Sequence, residues 1–339
     1  MFKLAINRKV KEISNCRPDD IPAFVFTSTE PIVLKGLVAN WTATQAGRVS
    51  TKKARDYLAQ FYTNLPVTAA VGKPEINGRI FYNEDFSGFN YQSRQVDLIK
   101  FIDQVHQHSE DSEPPTLYVA STLIDKWLPG LGVENCLSVP HDKPLVSIWL
   151  GNKSTIPAHF DLPDNIACCV VGKRRFTLFP PEQLSNLYPG PLEFAPGGQS
   201  ISLVDFQNPD FDKYPNFRQA LECAQVAELE AGDAIFIPSM WWHYVEALAS
   251  FNVLINYWWR QSPAYMSTPM NTLYHGLLTI RDLPPAQKRA WQGIFEHYVF
   301  NNNQECSDYI PENGRGFLSP INEDSARKIR SLLLNKLNR

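Results

Sequence analysis

The chain has 339 residues, 44% of them hydrophobic and 20% charged, with a formal net charge of -3. That length suits one large domain with additions or two domains, and the balance is that of a folded soluble protein, not a disordered or fibrous one. The small net charge excludes a strong global attraction to nucleic acid or to an anionic membrane, and no apolar run approaches the length of a membrane span.

In chain order, Met1 to Lys11 lacks the apolar core of a signal peptide. Pro31 to Val38 predicts a short strand, and Ser50 is placed to cap a helix beginning near Thr51. Val96–His108 predicts a helix with Leu98, Phe101, Ile102 and Val105 on one stripe. From Pro144 to Arg260 strands dominate. The runs are 145–151, 165–171 stopped by Gly172, 174–179 stopped by Pro180-Pro181, 226–229 entering a Gly232-Asp233 turn, 234–237 leaving it, and 251–258. Many short strands, with 26 prolines and 17 glycines spread along the chain, predict a mainly β, jelly-roll or cupin barrel with flanking helices. After Pro263 helical spacing takes over, at Met270–Arg281, Pro285–Phe300 and Glu323–Leu337. These helices either cover the sheet or join two subunits; we expect a homodimer interface.

The division expected is 1–114 as an α/β segment flanking the barrel, 115–262 as the barrel, and 263–339 as a helical dimerisation segment. Six cysteines (Cys16, Cys136, Cys168, Cys169, Cys223, Cys306) show no metal-type or scaffold-type spacing. A reduced, cytoplasmic setting is expected, which makes the sequons at Asn40 and Asn152 accidental.

The chemistry is concentrated in His159-Phe160-Asp161 and the distant His243. Residues i and i+2 of a strand share a face about 7 Å apart, within side-chain reach of one ion. Two imidazoles and one carboxylate on one face of an octahedron leave three positions open, as in non-haem Fe(II) oxygenases. Trp241 and Trp242 beside His243 dry such a site, besides filling the core. A co-substrate keto acid bound there carries a second carboxylate whose burial needs a cation. Arg174 alternates with Phe176 and Leu178 and could face inward, with Lys173 adjacent; alternatively Arg174 and Arg175 form a solvated corner. Tyr118, Asn165 and Asn256 are further pocket residues, because a buried amide in an apolar strand marks either a binding site or a strand-bridging network.

The stretches Pro157 to Asp161 through Asn165, Gly172 to Pro181, Asn208 to Phe217, Gly232 to His243 and Asn256-Tyr257-Trp258 resemble the JmjC/cupin-type (cupin_8 type) 2-oxoglutarate oxygenases, in particular their hypoxia-factor asparaginyl hydroxylase branch. The resemblance covers about residues 115–262. It implies a double-stranded β-helix core and Fe(II) held by His159, Asp161 and His243. It further implies a 2-oxoglutarate pocket lined by Tyr118, Asn165, Asn256 and Trp258 with Lys173 or Arg174, and a dimer through C-terminal helices. Three positions depart from the branch. Ile156 stands where the family has a hydroxyl residue, Arg174 stands where it has Lys, and 195–199 lacks an Arg. The implied activity is hydroxylation of a C–H bond with O2, releasing succinate and CO2. The substrate is open among a protein side chain, a tRNA base and a small molecule. The competing readings are a metal-dependent cupin enzyme without 2-oxoglutarate and a non-enzymatic cupin-fold binding protein.

Overall fold

The structure is a computed structural model that describes residues 4, 6–141, 143–301 and 307–338; Cys306 falls outside them. The chain divides into two compact units, Met1–Arg260 and Gln261–Arg339.

The first unit is built on two sheets. Its strands in chain order are β1 (Lys11–Ile13), β2 (Ile32–Leu34), β3 (Val67–Gly72), β4 (Tyr91–Val96), β5 (Thr116–Leu123), β6 (Leu145–Gly151), β7 (Ser154–Phe160), β8 (Asp164–Val171), β9 (Lys173–Phe179), β10 (Gln225–Glu230), β11 (Ala234–Ile237), β12 (Trp242–Ala247) and β13 (Asn252–Trp259). The larger sheet runs β1-β2-β11-β8-β13-β6-β5-β3-β4 and the smaller β10-β9-β12-β7. Strands β6 to β13 thus pass from one sheet to the other and back, β10 following β9 within the smaller sheet, which is a double-stranded β-helix. The strands of 1–114 do not stand apart: β1 to β4 extend the larger sheet at its two edges.

Period-2 alternation sorts the side chains into layers. Ala167, Cys169, Phe176, Leu178, Leu229, Ile235, Val245 and Leu254, from both sheets, fill the space between them. Their sequence neighbours Ile166, Cys168, Phe236 and Ile255 belong instead to the apolar cluster on the outer side of the larger sheet, which also holds Leu98, Phe101, Ile102 and Val105 of the helix Leu98–Gln107. Ser50 caps the helix Thr51–Ala59 by accepting from the Lys53 amide, as its sequence position predicts. Gly172 ends β8 at φ 81, where a Cβ would lie 2.5 Å from Asn252 Oδ1.

The turn at Gly232-Asp233 lies where the sequence places it, and it joins the two sheets: β10 pairs with β9, and β11 pairs with β8 and β2 in the other sheet. Asp233 fastens this crossing. It is buried, accepts from the amides of Gly36 (2.9 Å) and Glu230 (3.0 Å), and pairs with Lys35. Asp233→Ala would strip a buried carboxylate from two backbone amides and from Lys35, and should lower the unfolding free energy by roughly 2–4 kcal/mol in a denaturant titration. A loss below about 1 kcal/mol would mean that water replaces it fully.

The second unit holds the helices Pro269–Thr279, Pro285–Phe295 and Glu323–Leu337, close to the predicted ranges. No helix among the described residues is long and apolar enough to cross a membrane.

Candidate metal centre

His159 sits near the end of β7, Asp161 follows that strand, and His243 begins β12 directly opposite His159. A bulge shapes this corner. His243 pairs with His159 but Val245 pairs with Ile156, so β7 carries one extra residue across Pro157-Ala158. His159 and Ile156 therefore share the barrel-facing side, and Ile156 packs on the interior apolar cluster. Thr155 lies on the other side, beside Tyr244. The loop after β7 is tied to the loop before β12: Met240 N donates to Asp161 O at 2.9 Å and Ser239 N to Asp164 Oδ1 at 2.9 Å.

The three side chains converge. One donor atom from each of His159, Asp161 and His243 lies within 4.8 Å of the others, the one such cluster among the described residues. The imidazole centroids are 4.3 Å apart and His243 Nε2 is 3.8 Å from Asp161 Oδ2. Each imidazole is oriented by its own strand: His159 Nδ1 is 2.9 Å from Pro157 O and His243 Nδ1 is 3.0 Å from Trp241 O. A carbonyl only accepts, so Nδ1 carries the proton and the Nε2 lone pair is left for a ligand bond. Burial, reinforced by the neighbouring His159, holds the His243 pKa below its ordinary value against the opposing pull of Asp161. Both effects favour the neutral imidazole that a metal requires.

A model of the cupin-like domain matches residues 18–265, most of the chain. The chain belongs to the cupin-like domain family. Its curated relatives include JmjC domain-containing protein D of Dictyostelium discoideum, 29% identical over 48% of this chain, and the lysine-specific demethylase JMJ31 of Arabidopsis thaliana, 32% identical over 36% of it. The tRNA wybutosine-synthesizing protein 5 of Gallus gallus is 28% identical over 71% of this chain. The matches span 40%, 22% and 73% of those relatives' own lengths.

Within this cupin-like domain, two donors hold the Asp161 carboxylate. Trp258 Nε1 donates to Oδ2 at 3.1 Å and Gln199 Nε2 to Oδ1 at 3.2 Å. Trp258, expected to line a co-substrate pocket, donates here to Asp161, a candidate metal ligand. Gln199 was not anticipated, because a lone Gln in a Gly-Gly loop carries no signal in sequence. Removing the indole donor with Trp258→Phe should weaken Co(II) binding, followed by its d–d absorption, roughly 10- to 100-fold. An unchanged affinity would reduce Trp258 to packing.

The other pocket residues separate cleanly. Arg174 is 3% exposed and faces the interior across from Leu229, with no ion pair among the described residues. Burial lowers its pKa, and Cys169 and Tyr118 are its electrostatic neighbours. Tyr118, on β5, is buried beside Trp149, whose ring reaches Trp258. Burial pushes the Tyr118 phenol up, so it stays a neutral donor. Asn256 Nδ2 donates to Asn165 Oδ1 at 2.9 Å, a bridge between neighbouring strands. Lys173, expected beside the co-substrate, points outward instead, paired with Glu230 (2.8 Å) and Glu228 (3.7 Å). Alternation forces this: if Arg174 faces the interior, its neighbour cannot.

Three buried polar atoms on this inner side have no partner: Arg174 Nε, Trp149 Nε1 and Asn256 Oδ1. Each such atom costs about 1–3 kcal/mol unless something answers it. The donor set fits a ferrous ion. The guanidinium, with its Nε unanswered, fits an anion of small size beside Arg174, which lies four residues along β9 from the Leu178 that pairs with His243.

Proposed function

We propose that this protein is an Fe(II)- and 2-oxoglutarate-dependent oxygenase that hydroxylates a C–H bond. The observation that carries this reading is a buried Arg174 without a counter-ion in the same barrel as an open His-Asp-His triad. A bare metal site would not need that cation, and an apolar barrel would not tolerate it. When bound, Fe(II) with 2-oxoglutarate supplies the oxidation of a C–H bond by O2, releasing succinate and CO2.

The chain's own residues then have distinct tasks. His159 and His243 present neutral Nε2 atoms and Asp161 supplies the charge that offsets a divalent ion. Trp258 and Gln199 keep the Asp161 carboxylate from rotating away. Arg174 takes the distal carboxylate of the co-substrate, with Tyr118 as a second donor in place of the hydroxyl that Ile156 lacks. Ile156, Leu178 and Val245 exclude water around it. The test is direct: protein with Fe(II), ascorbate and O2 should convert 2-oxoglutarate to succinate, followed by proton NMR. Metal binding without succinate would favour a cupin enzyme that takes its substrate directly on the metal.

We propose further that the protein is a homodimer through the second unit. None of the described residues of the helices Pro269–Thr279 and Pro285–Phe295 is buried, and Leu278 (75%), Trp291 (42%) and Ile294 (42%) are open to solvent. Such an apolar surface is unusual for a monomer. Light scattering should give twice the chain mass, and Leu278→Glu with Trp291→Glu should give the monomer with succinate formation retained. A monomeric parent protein removes this reading.

A further inference from the structure

Residues 191–200 lie in no strand or helix, yet one of them, Gln199, holds the Asp161 carboxylate. Two sets of contacts fix this segment. At its near end Phe194 is seated in a cluster of rings. It stacks on Phe89 (centroids 4.7 Å, planes at 14°) and lies 5.6 Å from Tyr82, whose hydroxyl donates to the Phe194 carbonyl at 2.6 Å. Phe89 stacks in turn on Tyr91 (5.2 Å, 5°). Tyr82 is buried and Phe194 half-buried. At the far end the chain returns to the barrel: Ser200 Oγ donates to Gly190 O and Ser202 N to Ala158 O of β7, both at 2.7 Å.

Between Phe194 and Gln199 stands Ala195-Pro196-Gly197-Gly198, a β-turn closed by Gly198 N donating to Ala195 O at 3.3 Å. Pro196 fixes φ at the second position, and Gly198 takes φ 88, a left-handed value that glycine adopts freely. A closed turn brings the residues on either side of it close together, so Phe194 and Gln199 are its two arms. Among the described residues, a Cβ at Gly198 would meet nothing within 4 Å and one at Gly197 only Gln199 Oε1 at 3.7 Å. The glycines of the turn therefore lean on nothing outside it, and the Phe194 ring sets where the near arm stands. The other arm reaches the metal centre. Asp161 Oδ2, 3.8 Å from His243 Nε2, accepts from Trp258, and Oδ1 accepts from Gln199 at 3.2 Å. A carboxylate held at one oxygen can swing about that contact; held at both, its plane is fixed.

We infer that Phe194, seated against Tyr82 and Phe89, is a positioning residue of the metal centre: through the turn it holds Gln199 on Asp161 Oδ1 and so fixes the plane of the ligand carboxylate. The inference rests on the metal assignment within the oxygenase reading, but not on turnover. The experiment is a Co(II) titration of the full chain, followed by d–d absorption, in a double-mutant cycle of Phe194→Ala and Gln199→Ala. Gln199→Ala should weaken Co(II) roughly tenfold, and Phe194→Ala roughly three- to tenfold, each with shifted d–d bands as the carboxylate turns. The double variant should bind no more weakly than Gln199→Ala alone, because the ring acts only through the amide. Phe194→Tyr keeps the ring and should bind as the parent does. Tyr82→Phe keeps the cluster and loses only the bond to the Phe194 carbonyl, so it tests the same arm without a packing defect. It should weaken Co(II) roughly two- to fivefold. A Phe194→Ala loss that is equally large with and without Gln199 overturns the proposal, as does an affinity unchanged in both Phe194→Ala and Tyr82→Phe. A parent protein that binds Co(II) and responds to Trp258→Phe but not to Phe194→Ala sinks this inference alone. A parent that does not bind Co(II) removes the metal assignment and this inference together.

Discussion

Asp161→Ala is expected to lose ferrous binding and 2-oxoglutarate turnover together. Asp161 is the only anion among the three converging residues, and His243 next to it is held neutral by burial. Without the carboxylate, two neutral imidazoles would have to hold a divalent ion alone. Loss of an outer partner of a metal ligand already costs 10- to 100-fold, so loss of the ligand itself should exceed about a hundredfold in metal affinity. Calorimetric titration with Mn(II) or Co(II) reads affinity independently of turnover. The side chain is also not a packing element, since its contacts are the Trp258 and Gln199 donors and the imidazoles. The fold should therefore survive, with an unchanged far-ultraviolet circular dichroism spectrum. Turnover within about tenfold of the parent would remove the metal assignment at this corner.

Arg174→Met should move stability and function in opposite directions. The guanidinium is buried without a counter-ion, and its Nε has no partner. Replacing an unpaired buried cation with an apolar side chain of similar length relieves desolvation, so the protein without ligands should gain roughly 1–3 kcal/mol in a denaturant titration. The same change removes the group proposed to hold the distal carboxylate. The stabilisation that 2-oxoglutarate confers, seen as a rise in melting temperature with Mn(II) present, should vanish, while Mn(II) affinity stays within about threefold. Arg174→Lys keeps the charge but not the fork, so it should restore part of the ligand-induced shift. A destabilised Arg174→Met protein with an intact 2-oxoglutarate response would make Arg174 structural and leave the carboxylate to another donor.

Much of this was legible along the chain. The period-2 runs 145–151, 165–171, 174–179 and 251–258 match β6, β8, β9 and β13 within a residue at each end. The stripe Leu98, Phe101, Ile102, Val105 is the buried face of its helix. Arg174 followed its alternation with Phe176 and Leu178 to the interior, and the same alternation sent Lys173 outside. Strands β3, β4 and β12 were not legible. β4 has an exposed pattern throughout its middle, and β12 is short and interrupted by the pairing shift at the bulge.

The sequence by itself determined the chemistry on offer: which residues could bind a metal, which strand carries a cation inward, and where strands stop at Gly172 and Pro180. Those are local properties, set by residue type and by a two-residue period. Only the tertiary structure decided what the residues meet. Sheet order made the Gly232-Asp233 turn a crossing between layers, and one extra residue in β7 put Ile156 on the same side as His159. Gln199 reaches Asp161 across 38 residues, and Trp258 reaches it across 97. Separations of that size are closed by packing of the whole barrel, and no short-range pattern records them.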